Sequence, residues 1–457
     1  MKSNVLLIII LIVIIAIVGI YFGYNMFFNK PNLTKVSNES ISLNNTNSST
    51  NITSSNNYQN ITTHTITSSN TTNVNNYQNT SNNYLNNYSN YSSHINVGYN
   101  QYIPITIYNN QSISTPSPFQ QEIIICKYYP FPSELPIIEN ETLFNLINAN
   151  GSNVYFTIKP GGLPDLYSWY EGRLIDWVYP CKAWWIKLPN GIPANSNITI
   201  YMYIGNSSSN YYQQYYPYVG VSPQVDSSRQ YDNGKYVFIA YGYFNNTMDG
   251  WTGYNYSGSW IPRATPYGIQ MSNSTYILPP NNWNIPKIPL IVEEAWYGDY
   301  CTDANVIALF GNTNQQIRIS DYTSTSNLST FVRFSCSNLK LTLESAVINQ
   351  NLKSLDIPLN FNSGTIYSYL IINSTYAEAG YKNYQIDQVW VPLGISYLLD
   401  DVSESDRIYS NLNYNPFQYG TLQISTGTIY SWADQYIQWV VARAYPPNGV
   451  MPRIYIG

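Results

Sequence analysis

Tyr102-Ile103-Pro104-Ile105-Thr106-Ile107-Tyr108 places three isoleucines at every second position. A two-residue period belongs to a β-strand with one buried face, because successive side chains point to opposite sides of a pleated chain. Working outward, apolar runs at 122–128, 153–158, 183–188 and 199–204 read as further strands. Turn signals separate them at Asn150-Gly151, Pro160-Gly161-Gly162 and Pro189-Asn190-Gly191. Beyond residue 240 the pattern continues at 288–296, 306–310, 331–334, 339–343, 366–372, 385–391, 436–441 and 453–456. The only helix expected is a modest one at 139–149, where Leu143, Leu146 and Ile147 share a face. Many short strands with no long amphipathic helix predict an all-β protein of sandwich or jelly-roll type and exclude a parallel α/β fold.

The first hundred residues read differently. Residues 5–20 are an unbroken apolar run, extended by aromatics as far as Phe28, with no charge between Lys2 and Lys30. That length approaches what a hydrocarbon core of ~30 Å requires, and aromatics at one end suit a membrane interface. A cleavable signal peptide is the competing reading, but its small-x-small cleavage pattern is not present. An uncleaved single-pass anchor over 1–30 is therefore expected. Residues 31–98 are Asn, Ser, Thr and Tyr with almost no aliphatic clustering, a composition that cannot offset its ordering entropy. As a flexible coil this stalk would span about 45 Å. It carries N-x-S/T sequons at Asn32, Asn38, Asn44, Asn47, Asn51, Asn60, Asn70, Asn79, Asn87 and Asn90, consistent with glycosylation outside the cell. The expected domains are thus an anchor at 1–30, a disordered stalk at 31–98, and two tandem β-sandwich or jelly-roll modules at 99–240 and 241–457. This places the C-terminal ectodomain on the extracellular side of a cell membrane.

Charged residues make up 10% of the chain, against about 25% in ordinary soluble proteins, while tyrosine reaches 47. A surface solvated by amides and hydroxyls changes little with pH, which fits acidic surroundings; AT-rich coding bias explains the same composition. Net charge is −5 and no segment clusters lysine and arginine, so the cationic footprint that nucleic-acid binding requires is absent. The four cysteines, Cys126, Cys181, Cys301 and Cys336, form no CxxC, and the two histidines, His64 and His94, both lie in the stalk. A Cys/His zinc site is disfavoured and disulfides are favoured; Cys126–Cys181 and Cys301–Cys336 would give one bridge per module.

Several phrases resemble a known family. TPSPFQQEI at 115–123, NGSNVYFT at 150–157 and WWIKLPNGIPANSNITIYMYIG at 184–205 are similar to the domain-of-unknown-function family 2341 of archaeal and bacterial surface proteins. QYDNGKYVF at 230–238 resembles its hinge into a second module, which looks like a concanavalin A-like lectin/glucanase (LamG-like) jelly roll. AYPPNGVMPRIYIG at 444–457 resembles the ending of the archaeal versions. The resemblance implies architecture and carries no agreed activity.

Catalysis finds little support. A glucanase needs two carboxylates on one strand face, and the nearest approach, Glu293-Glu294-Ala295-Trp296-Tyr297-Gly298-Asp299, has the wrong spacing and reads as a strand with one outward Glu. No G-x-S-x-G elbow exists, and no histidine lies in the folded part for a triad. Calcium is a candidate cofactor through Asp232 with Asn233, Asp299 with Asp303, or Asp400 with Asp401 and Asp406, although none forms an EF-hand loop and Asp is common in turns. Trp251, Tyr254, Tyr256 and Trp260 in a Gly/Ser-rich stretch, and Trp283 in a loop, are candidate sugar-stacking residues, with core packing as the competing role. The tyrosines at 211, 212, 215, 216 and 218 suit a protein contact. Together these features point to a membrane-anchored adhesion or binding protein, not an enzyme, that recognises glycans or surface proteins. The alternatives are a structural component of a cell envelope or archaeal-virus particle and, third, a glycoside hydrolase.

Overall fold

The computed structural model describes residues 98, 100–129, 136–172, 175–176, 179–255, 261–271, 275–280, 285–298, 304–310, 329–335, 340–345, 350–356, 365–384, 407–412, 415, 423–429 and 435–457. The apolar segment, the stalk with its sequons, the strand expected at 385–391, Cys301, Cys336, Tyr256, Trp260, Trp283, Asp299, Asp303, Asp400, Asp401 and Asp406 lie outside the described residues. Among the described residues no helix is long and apolar enough to cross a membrane.

The described strands form four sheets that pair into two sandwiches. In the first, a four-stranded sheet runs Arg453–Ile456, Gln101–Asn109, Ser196–Ile204, Val154–Thr157. It faces a sheet ordered Ile137–Glu139, Phe119–Cys126, Tyr179–Leu188, Ser168–Gly172, Val219–Val221. Ile103, Ile105 and Ile107 all point inward, at 1% exposure or less, against Ile123, Ile125, Trp184 and Ile186. The two-residue period therefore sets the burial of the opening strand directly. The helix is shorter than expected, Glu141–Leu146, capped by Asn140 whose side chain accepts from the Leu143 amide. Cys126 and Cys181 stand opposite each other in register on neighbouring strands and are bonded.

The second sandwich pairs a sheet containing Gly268–Met271, Gln435–Ala444, Leu290–Gly298, Thr365–Ile372, Tyr376–Tyr384 and Arg407–Asn411 with a seven-stranded sheet running from Thr252–Asn255 to Gln350–Asp356. Leu290, Val292, Trp296, Leu370 and Val440 fill its core. The chain does not finish there. Its last strand, Arg453–Ile456, returns to the first sandwich and pairs with Gln101–Asn109 from Ile105↔Ile456 to Tyr108↔Arg453. Residues 453–456 thus belong structurally with the module expected at 99–240.

The two sandwiches share a buried aromatic junction. Trp169 and Trp185 from the first meet Ile291, Ala295, Tyr367, Tyr369, Trp439 and Val441 from the second, with Val237, Phe238 and Tyr241 of the connecting segment between them. Sheet faces that would otherwise look to solvent are covered, so the junction is an extension of the core and fixes the relative position of everything on its rim.

Candidate functional site

At the rim of this junction lies a pocket of about 370 Å³ lined by Tyr216, Arg229, Asp232, Lys235, Tyr241, Asn245, Thr247 and Asp249. All of these come from 216–249, the segment that leaves the first sandwich and enters the second. Local packing explains its shape. Asn233 is fully buried and donates to the Ser168 and Pro217 carbonyls, tying the hinge to the first sandwich. Gly220 permits this, because a Cβ there would fall 2.0 Å from Asn233 Oδ1. The hinge ends in a short helix, Gly234–Val237, and then Ala240–Tyr243, which pairs with the central strand Gln435–Ala444.

Asp232 is the anchor of the pocket. Its Oδ1 accepts from Trp169 Nε1 at 3.1 Å and from the Gly234 amide at 3.1 Å, and its Oδ2 accepts from the Tyr241 hydroxyl at 2.9 Å. Burial pushes its carboxyl up from 3.8 to about 6; the Gly234 hydrogen bond opposes this and the nearby Asp249 charge adds to it. Arg229 reaches between the two carboxylates, 3.9 Å from Asp232 Oδ2 and 3.4 Å from Asp249 Oδ1, with its guanidinium carbon 5.5 Å from the Tyr243 ring centre. Asp249 Oδ2 accepts from the Tyr243 amide. Arg229, Asn246 and Asp249 all hold left-handed backbone, with φ of 60°, 55° and 49°. Such conformations cost about 1–3 kcal/mol each and collect at functional sites. Tyr216, 41% exposed, forms the open wall. Outside it, Tyr218, Tyr167 and Tyr236 stack at 4.7 and 5.6 Å.

The structure redistributes the residues singled out from sequence. Trp251 is not a surface platform: it is 3% exposed, donates to the Tyr241 carbonyl and meets Phe244 edge-on at 5.5 Å. Its Gly/Ser-rich surroundings suggested a loop, but the indole has both an apolar bed and an acceptor inside. Tyr254 lies on the strand Thr252–Asn255. Asp232 commits its carboxylate to three neutral donors, which leaves it poorly suited to calcium, and among the described residues no three His, Cys, Asp or Glu side chains gather around a metal-sized space. The expected outward glutamate is also corrected, since Glu293 and Glu294 are both buried. As strand neighbours they face opposite ways: Glu294 accepts from Ser368 inside the second sandwich, and Glu293 lies at the junction with its Oε2 3.4 Å from Arg443 Nε.

That junction holds a second set of charges. Glu122, Glu171, Glu293 and Arg443 are each 1% exposed or less. Trp185 Nε1 donates to Glu171 Oε2 at 2.9 Å, and the Arg443 guanidinium lies 5.1 Å from the Trp185 ring. Burial raises Glu293 from 4.5 to about 8 against the pull of Arg443, and raises Glu171 well above its usual range, with the Glu122 charge adding to it. Sequence reading missed both this cluster and Arg229 with Asp249, because their members are scattered along the chain and carry no motif.

Fold and pocket define a tandem β-sandwich protein with a polar pocket at the hinge. No family model matches the sequence. The chain is 30% identical over 385 residues to an uncharacterized protein, 562, of Sulfolobus islandicus rod-shaped virus 1, an alignment covering 76% of this chain and 57% of that protein. Solved structures with a similar arrangement of strands include the metal-free VIP36 exoplasmic/lumenal domain (7% identity, 48% of this chain and 95% of that one, TM-score 0.31). Others are the Lotus tetragonolobus seed lectin (10%, 45% and 97%, TM-score 0.30) and the CBM2 module of the Lactobacillus casei BL23 phage J-1 evolved Dit (10%, 48% and 95%, TM-score 0.28).

Proposed function

We propose that the protein is a displayed binding protein that contacts glycans through the hinge pocket, held outside a membrane by its N-terminal apolar segment and stalk. The observation that carries this reading is the pocket itself, in which an arginine between two carboxylates, a lysine and an open tyrosine sit on the rim of a rigid junction. Sugars need such a mixture: hydrogen-bonding groups fixed in place and an aromatic wall for the CH face of the ring. Binding, not turnover, is the reading, because Glu293 and Glu294 point to two different buried faces. Calcium, if used, is expected to act through the acidic loops and not through Asp232. The test is the full chain in detergent micelles on a glycan array, with and without calcium. Specific binding that is lost in Arg229→Gln supports the reading; silence on every glycan refutes it.

A second reading is favoured by the similarity to a viral protein over 76% of this chain. Here the protein is a structural component of a virus particle, assembling through its tyrosine-rich surfaces. Concentration-dependent self-association in analytical ultracentrifugation at micromolar levels is its expected signature, and a monomer at those concentrations argues against it.

A further inference from the structure

The pocket is unequal in its hydrogen-bonding capacity, and the imbalance identifies a ligand. Its acceptors are already used. Both oxygens of Asp232 receive protein donors, Asp249 Oδ2 takes the Tyr243 amide, and Asp249 Oδ1 faces Arg229. Asn245 Oδ1 accepts from Asn246, the Asn245 carbonyl from Arg229, and Thr247 Oγ1 from the Asp249 amide. Its donors are left over. Arg229 Nε, itself sealed from solvent, has no hydrogen-bond acceptor among the described residues. The Lys235 ammonium lies 5.2 Å from the Tyr236 ring centre and is paired with no carboxylate among the described residues. The Asn245 amide nitrogen and the Thr247 hydroxyl proton likewise have no acceptor among them.

Charge points the same way. Arg229 and Lys235 balance Asp232 and Asp249 when both acids are ionised, but the Asp232 side chain is only 6% exposed and its charge is turned towards Trp169, Tyr241 and Gly234. What a ligand meets is two cations, the partly exposed Asp249 carboxylate held against Arg229, neutral donors and one aromatic wall. A neutral sugar, which offers as many donors as acceptors, would leave part of this set unanswered. An oxyanion carries only acceptors, and a guanidinium is suited to bind it.

We propose that the hinge pocket takes a sugar bearing an oxyanion, a uronate carboxylate or a sulfate ester, with the anion against Arg229 and Lys235 and the ring on Tyr216. This rests on the reading that the pocket binds glycans. Protonation of Asp232 below about pH 6 removes an anion from the pocket, so affinity should rise as pH falls through that value; the other ionisable groups around it are Asp249, Arg229, Lys235, Tyr241, Tyr243 and Tyr216.

Calorimetric titration of the full chain in detergent micelles tests this with three probes: an oligogalacturonate, a sulfated oligosaccharide, and a neutral oligosaccharide of the same length. Either acidic probe is expected to bind at least about tenfold more tightly than the neutral one, a step of about 1.4 kcal/mol. Comparing the two acidic probes tells carboxylate from sulfate. Lys235→Glu, at an exposed position, should remove most of that advantage, and Arg229→Gln should weaken binding of every sugar probe. Equal binding of acidic and neutral sugars, unchanged by Lys235→Glu, overturns the oxyanion while leaving a glycan pocket standing. Binding of no sugar, or of an acidic peptide alone, overturns both. Inorganic sulfate competing as well as the sulfated oligosaccharide would reduce the site to an anion site and overturn the sugar.

Discussion

Arg443 and Arg229 each stand among carboxylates, one inside the junction and the other on its rim. Around Arg443 the three glutamates are sealed between two sheets, and desolvation dominates: Glu293 rises to about 8 and Glu171 well above its usual range. Around Arg229 the same ingredients are partly wet, the arginine side chain is 20% exposed, and Asp232 rises only to about 6. In the first place the charges are closed off from solvent. In the second, the Lys235 ammonium faces solvent. The same chemistry therefore serves cohesion in the junction and recognition on its rim, and depth of burial decides which.

The largest effect should come from breaking the sealed set. Arg443→Met removes the cation beside Glu293 and should cost about 3–5 kcal/mol in chemical denaturation, more at pH 9 than at pH 5. The pH profile of the wild type follows from the same groups. The folded pKa of Glu293 lies above the unfolded value, so the stability it contributes is full below about pH 4.5 and declines as pH rises towards about 8; Glu171, raised in the same direction by burial, adds to the decline. Melting temperature should fall across that window, and Glu171→Gln should flatten part of the decline; a profile identical to wild type would show that Glu171 does not titrate there. On the rim the effects on folding shrink. Asp232→Ala strands the donors of Trp169, Tyr241 and Gly234 and should cost about 2–3 kcal/mol. Tyr216→Ala, at an exposed wall, should leave stability within about 0.5 kcal/mol of wild type while weakening glycan binding. A reversal, with Tyr216→Ala destabilising strongly or Arg443→Met altering affinity alone, would break the division between the two regions.

The sequence was legible where one physical rule acts locally. Alternating isoleucines at 103, 105 and 107 announced their buried face. Composition hid the rest. In a chain with 47 tyrosines, nothing in the letters separates exposed Tyr216 from buried Tyr212 or Tyr241. Trp251 looked like a surface aromatic because its neighbours are small, whereas long-range packing put it in the core. Glu293 looked like a solvated strand position because the sequence does not show that a second sandwich covers that face. The hinge residue Asp232 was noticed for calcium; its partners Trp169 and Tyr241 become visible only once the two modules are together. Even the return of Arg453–Ile456 to the first sandwich is a pairing between residues some 350 positions apart, beyond any local signal.

The most direct test of the account is hydrogen–deuterium exchange of the full chain with and without a saturating uronic-acid oligosaccharide. The account predicts slowed exchange confined to the hinge, residues 216–249, with the junction strands unchanged because they are already sealed. Unchanged exchange across 216–249, or protection appearing instead on the outer face around Tyr102 and Tyr201, would contradict it.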